Sequence, residues 1–315
     1  MSMILKTRSC SLYRALGILL LVILMFVLVP GGAWSLDEHA QAFPVTIKDS
    51  TGNTVVIPSL PRRIISIAPS NTEILYALGA GDRVIGVTTA CDYPPEARQK
   101  EKVGDVNLNF EKIVSMRPDV VLGVASLQGA AIERLRRLGI PVVAVDPKTV
   151  DEVLGAIELV GRVVGADRER VQSLIKALVG RKERVLAATS RIPETARPRV
   201  FVEIWHEPLM TAGPGTFVDE IIQLAGGKNI AFDSGNPWPQ FSEELLIERD
   251  PEIIVLTCHN LEQVMSEASW QGISAVKNRR VYEIDPDILV RPGPRLIDGL
   301  EVMARYIRPL IAVGR

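Results

Sequence analysis

Ile64-Ile65-Ser66-Ile67-Ala68-Pro69-Ser70-Asn71-Thr72-Glu73-Ile74-Leu75-Tyr76-Ala77-Leu78-Gly79 changes character midway. Its first four residues are a short, largely β-branched apolar run of the kind that forms a buried strand. Ser70-Asn71-Thr72-Glu73 has the spacing of a capping box opening a helix, and Gly79 suits the left-handed residue that ends one. The same alternation continues downstream. Val84–Thr88 reads as a strand, 110–116 as a helix stopped before Pro118, and Val120–Val124 as a strand. Residues 130–138 read as a helix ended by Gly139, and 142–145 as a strand. Strands alternating with helices predict a mostly parallel sheet in an α/β lobe. Upstream, Val45, Ile47, Val55 and Ile57 alternate around Ser50-Thr51-Gly52-Asn53, which predicts a hairpin.

The alternation then stops. Val153, Ile157, Val160 and Val164 recur at helical spacing, Gly165 interrupts, and Asp167 can cap a second helix. That helix, carrying Val171, Leu174, Leu178 and Val185, is expected to run to about Ser190, a span of about 36 Å at 1.5 Å per residue. A helix of that length is a stiff bridge between lobes. After Pro198 the strand–helix pattern resumes, with strands expected at 200–204, 253–256 and 281–284 and helices at 217–224, 245–248 and 296–307. A weak internal repeat supports two similar lobes. Asn109 through Pro118 and Ser242 through Pro251 each hold a capping residue, a two-turn helix and a proline stop before an apolar strand. The expected organisation is therefore α/β throughout, with two Rossmann-like lobes (36–150 and 196–315), a helical linker at 151–195, and a ligand cleft between the lobes.

Composition narrows the function. With 36 Lys+Arg against 37 Asp+Glu the net charge is −1, without the basic surplus expected of a nucleic-acid protein. At the N-terminus Lys6, Arg8 and Arg14 precede an apolar run from Ala15 to Val29, then small residues at Ala33 and Ser35. This fits an export signal over residues 1–35, and a periplasmic or extracytoplasmic mature chain; left uncleaved, the segment would anchor the chain to the membrane. Cys10 precedes the apolar run and so cannot be a lipid-modified cysteine following one. Enzyme signals are weak. Gly79-Ala80-Gly81 opens like a dinucleotide fingerprint, but Val84 stands where the third glycine belongs and a helix precedes it, so a helix-ending turn is expected. No GxxxxGK[ST], GxSxG or HExxH occurs. Cys91 and Cys258 fall at strand ends in different lobes, and are expected as two thiols or one weakly formed bond. What stands out is a set of proline-stiffened loops after strands, where open α/β sheets bind ligands: Asp92-Tyr93-Pro94-Pro95, Trp205-His206-Glu207-Pro208, Pro237-Trp238-Pro239-Gln240 and Asp287 through Arg295. Aromatics are 5% of the chain, yet Tyr93, Trp205 and Trp238 all fall there.

The stretch from Ile64 to Glu73, with Asp92-Tyr93-Pro94-Pro95 and the C-terminal Trp270…Ala275-Val276-Lys277-Asn278-Arg279-Arg280-Val281-Tyr282, resembles the substrate-binding proteins of ABC importers for cobalamin, haem and iron siderophores. The resemblance covers essentially the mature chain and is nearest to the cobalamin-binding members. It rests there on Asp92-Tyr93-Pro94, Trp238-Pro239-Gln240 and the spacing Asp287-x-x-x-Arg291-x-x-Pro294-Arg295. It implies two lobes bridged by one rigid helix, no catalysis and no cofactor, with cobalamin as transported ligand. Tyr93 and Trp238 would hold the corrin, Asp287 and Arg291 would bond its amides, and Trp205 would add a stacking surface. The cobalamin members have a tryptophan where this chain has Val106, and lack a pair like Trp205-His206. His206 could ligate cobalt or haem iron, although a loop histidine bonded to backbone is the simpler expectation. The implied partner is a permease dimer, met by Glu73 and Glu244. The alternatives are a haem or ferric-siderophore binder of the same family, with Tyr93 or His206 as axial ligand for haem, and an exported nucleotide-binding enzyme.

Overall fold

The computed structural model describes residues 42–258 and 260–313. The expected signal over residues 1–35 lies outside them, as do His39 and His259. Strands β1 (Val45–Lys48) and β2 (Thr54–Ile57) form the expected antiparallel hairpin. Its turn is tied by the Asp49 carboxylate, which accepts from the backbone N–H groups of Thr51 and Asn53 at 3.0 and 3.1 Å.

The first sheet has β3 (Ile64–Ser66), β4 (Val84–Val87), β5 (Glu101–Lys102), β6 (Val120–Gly123) and β7 (Val142–Ala144), in the order β5-β4-β3-β6-β7. Every pairing in it is parallel. The helices between are α1 (Pro69–Ala77), α2 (Phe110–Ser115) and α3 (Ala125–Arg137). Apolar residues cover both faces of this sheet, which is why its strands read as unbroken hydrophobic runs rather than alternating ones. The edge piece β5 leaves no legible pattern at two residues.

The start of α1 corrects the sequence reading. Ser70 is not its cap: the N-cap is Ala68, Pro69 sits at the first helical position, and no side chain caps the helix. Proline there has its missing N–H where no partner is needed. Gly79 does end the helix in a left-handed conformation, at φ 76°.

Helices α4 (Val150–Val164) and α5 (Arg168–Thr189) follow, capped by Thr149 and Asp167 and separated by Gly165 at φ 56°. Then β8 (Arg199–Glu203), α6 (Phe217–Leu224), β9 (Lys228–Asn229), α7 (Glu243–Arg249), β10 (Ile253–Leu256), α8 (Leu261–Ser266), α9 (Ser274–Lys277), β11 (Val281–Glu283), α10 (Pro286–Val290) and α11 (Leu296–Val313) complete the chain. The second sheet is also parallel, in the order β11-β10-β8-β9. The repeat read from sequence is real in its caps: the Asn109 side chain accepts from Lys112 N at 2.9 Å, and that of Ser242 from Leu245 N at 3.2 Å. The segment after Asp285, expected as loop, holds the five-residue helix α10, whose cap is Asp285 accepting from Asp287 N.

In each sheet the chain reverses its direction of travel at one point, between β3 and β6 and between β8 and β10. A crevice opens at the carboxyl ends of the strands there, the general place for ligands in open parallel sheets. The 22-residue α5 packs on α4 at one side and on α6 and α11 at the other, so it touches elements attached to both sheets. Arg181 fixes it to α11 through Glu301 and Asp298, at 2.7 and 2.6 Å. Leu178, buried at mid-helix, belongs to the apolar cluster that runs from one sheet to the other. Leu178→Ala should cost about 2–5 kcal/mol, the transfer term plus an unfilled cavity. An unchanged urea midpoint would show that α5 is not held by this packing.

Candidate functional site

The loops at the carboxyl ends of the strands hold nearly all the residues singled out from sequence. From the first lobe come Glu73 in α1 and Asp92-Tyr93 after β4. From the second come Asp287 on α10, and Arg291 and Arg295 just beyond it. Arg291 Nη1 donates to Asp92 Oδ1 at 2.6 Å, and its Nη2 lies 2.8 Å from Asp287 Oδ1. Arg295 grips Glu73 with two hydrogen bonds, Nε to Oε2 at 3.0 Å and Nη2 to Oε1 at 2.6 Å. Its guanidinium carbon also lies 3.9 Å from the centre of the Tyr93 ring, a cation–π contact. Tyr93, Asp287 and Arg291 are thus brought into one cluster. Asp92 and Arg295 belong to it equally, and their place in the quoted loop motifs was the signal that could have found them.

Gly293 shows how closely the lobes meet here. A Cβ on it would stand 3.3 Å from Glu73 Oε2 and 3.5 Å from the Ser70 carbonyl oxygen. The backbone of the second lobe therefore lies on the first turn of α1. Glu73 is only 3% exposed. It is not the surface carboxylate expected of a docking residue, nor the second half of a capping box. Its side chain is turned to Arg295, 222 positions away. Burial pushes the Glu73 carboxyl above its ordinary range, and Arg295 and Arg291 offset part of that. For Asp287 burial again dominates and raises the carboxyl, helped by nearby Asp92 and Asp285. Burial also pushes Asp92 up, but the hydrogen bond and charge of Arg291 outweigh it and hold the group low. Glu244, by contrast, stands exposed in the first turn of α7.

The two tryptophans form a separate patch. Residues 205, 210 and 240 are linked by antiparallel bridges, which hold the Trp205 and Trp238 loops side by side at the carboxyl end of β8. Trp238 leans edge-on against Phe217, ring centres 6.1 Å apart, and Trp205 is 56% exposed with its indole N–H bonded to the Glu207 carbonyl. Phe217 opens α6, which packs against α10, so the aromatic patch and the ionic cluster share a support. Val106, in the position where a tryptophan was expected of a cobalamin binder, is 94% exposed. A cavity of about 860 Å³ adjoins the cluster, lined by Tyr76, Asp82, Tyr93, Glu96, Lys100 and Arg295 among others. It lies within the size range of small-molecule sites. Neither tryptophan is among its lining residues.

In the second lobe's crevice the buried Glu203 carboxylate accepts from the Cys258 thiol at 3.6 Å and lies 3.6 Å from His206 Nδ1. Burial and the Glu203 charge push the Cys258 thiol up, which suits a quiet proton donor and not a nucleophile. Cys91 and Cys258 are both free thiols.

Paired parallel α/β sheets whose strand ends converge on a polar and aromatic cleft define a solute-binding protein of the two-lobed periplasmic type. Residues 64–288 match the model of the periplasmic binding protein family, and the chain belongs to that family. It is 39% identical over 278 residues to an ABC transporter substrate-binding lipoprotein, YvrC, of Bacillus subtilis, covering 86% of this chain and 88% of that one. The crystal structure of the vitamin B12-binding protein BtuF of Vibrio cholerae is similar with a TM-score of 0.72 and 30% identity, covering 80% of this chain and 99% of that one. The haem-binding protein BhuT, solved with two haems, has a TM-score of 0.70 and 26% identity, covering 79% and 98%. The protein is a substrate-binding protein of an ABC importer. These relatives are named for solute binding, which supports a non-enzyme reading, and as periplasmic proteins or a lipoprotein. Among the described residues no helix is long and apolar enough to cross a membrane.

Arg295→Ala leaves the Glu73 carboxylate buried beside a weaker set of cations and should cost about 3–5 kcal/mol. The folded pKa of Glu73 already stands above its unfolded value, so its contribution is present at low pH and lost as pH rises through the folded value. Removing Arg295 moves that value further up. Urea titrations should therefore show a larger deficit near pH 8 than near pH 5; a deficit independent of pH would contradict the buried-carboxylate account.

Proposed function

We propose that this protein captures a cobalamin-type corrinoid in the interlobe cleft and delivers it to its ABC permease. The observation that carries the reading is the meeting of Asp287 and Arg291 with Asp92, next to Tyr93, across the lobes, in a chain 30% identical to BtuF. The chemistry matches the ligand. A corrin is a large ring with apolar faces and a rim of primary amides. Arg291 donates to amide carbonyls and Asp287 accepts from amide N–H groups. Tyr93, Trp238 and Trp205 supply flat area at low entropic cost, with the exposed Trp205 offsetting the valine at position 106. No bond is made or broken, so binding rests on desolvation and on hydrogen bonds exchanged between protein partners and ligand.

A second reading within the class is haem, favoured by the likeness to BhuT. It needs an axial donor, for which His206 beside Glu203 and Tyr93 beneath Arg295 are the candidates. For the permease, the exposed Glu244 is the docking carboxylate of this proposal, while Glu73 is available to a partner only when its pair with Arg295 opens. Charges of this sort fix register and speed encounter.

Calorimetric titration with cyanocobalamin should show binding by the wild type, weakened by about 1–3 kcal/mol in each of Tyr93→Ala and Trp238→Ala. Unchanged affinity in both variants would remove these loops from the site. Glu244→Arg should slow uptake in a reconstituted importer while leaving cyanocobalamin affinity intact; normal uptake would make Glu244 a local helix-end charge alone.

A further inference from the structure

The ionic cluster carries more negative than positive charge. Four carboxylates, those of Glu73, Asp92, Asp285 and Asp287, lie within 4 Å of the two guanidiniums of Arg291 and Arg295. Each arginine is already engaged. Nη1 of Arg291 has Asp92 at 2.6 Å and Glu73 at 3.7 Å, and its Nη2 has Asp287 at 2.8 Å. Arg295 is held by Glu73 on two nitrogens, with Asp287 at 3.8 Å and Asp285 at 3.9 Å. A carboxylate arriving here meets a guanidinium whose charge is matched and a surplus of like charge around it. A primary amide meets something different. Its carbonyl can accept from a guanidinium N–H, and its NH2 can donate to a carboxylate without adding charge.

Resting on the reading of the cleft as an amide-binding site, we propose that Asp92 is a selectivity filter that favours neutral, amide-rimmed ligands over their carboxylate-bearing counterparts by keeping Arg291 neutralised. Asp92 suits the role by position. It comes from the first lobe, and among the partners of Arg291 its side chain is the most exposed, at 37% against 25% for Asp287 and 2% for Glu73. It therefore stands where a ligand group would compete for the guanidinium. Discrimination comes from an element that repels the wrong ligand as well as from contacts to the right one.

The test compares cyanocobalamin with its monocarboxylate derivatives, each made by hydrolysing one peripheral propionamide, on the full chain, its Asp92→Asn variant and its Asp92→Glu variant. The wild type should favour the amide by about tenfold or more over at least one derivative, and Asp92→Asn should bring that ratio within about threefold. Asp92→Glu keeps the charge and should keep the discrimination, which separates charge from loop structure. Wild-type discrimination that survives unchanged in Asp92→Asn, or a wild type that binds amide and carboxylate alike, overturns the filter while leaving corrinoid binding standing. A wild type that takes haemin and no corrinoid sinks the corrinoid reading instead. The filter is then judged on haemin against its dimethyl ester: preference for the neutral ester, abolished by Asp92→Asn, upholds it, and preference for the free acid overturns it.

Discussion

A carboxylate buried where two lobes meet needs a cation, and Arg295 brings that cation to Glu73 from the opposite side of the cleft. Much else follows from this pair. It anchors the loop after α10 against the first turn of α1, with Gly293 small enough to lie on Ser70. It lays a guanidinium on the ring of Tyr93, and it leaves Arg291, four residues earlier in the same loop, facing Asp92. Breaking such a pair by removing one partner costs far more than the pair itself contributes, because the remaining charge stays out of water. These contacts tie the two sides of the cleft together; on the proposed corrinoid reading, affinity then depends on how well ligand amides reproduce hydrogen bonds the protein already makes.

Elements set by local chemistry were legible in the sequence, and those set by distant partners were not. Asn109, Asp167 and Ser242 each accept a hydrogen bond from the residue three positions on, and each was readable as a cap because that interaction is local. The buried runs around Ile64, Val120 and Ile253 were readable because parallel strands covered on both faces need unbroken apolar sequence. Ser70 to Glu73 has the same local spacing as a capping box, yet Glu73 turns away because Arg295 competes for it. No window of sequence contains both residues. Helix α10 was missed for another reason: five residues are too few to display a helical period, and only the cap at Asp285 marks it.

The same division holds for the site. Proline-stiffened loops carrying Tyr93, Trp205 and Trp238 could be singled out because aromatics are scarce in this chain and cluster after strands. Their grouping could not. Tyr93 joins the ion pairs, whereas Trp205 and Trp238 sit together on the second lobe, tied through residue 210. Asp92 and Arg295 lay inside the quoted motifs, but their weight comes from the partners that folding assigns them, and spacing alone does not report a partner.

The central claim is that this cleft holds a corrin. The visible absorption spectrum of the full chain purified from cobalamin-fed cells tests it most directly, because each candidate ligand carries its own chromophore. The account predicts corrin bands that co-elute with the protein and are lost on denaturation. A Soret band would assign the cleft to haem, and a colourless protein that stays colourless after incubation with cyanocobalamin would contradict the claim outright.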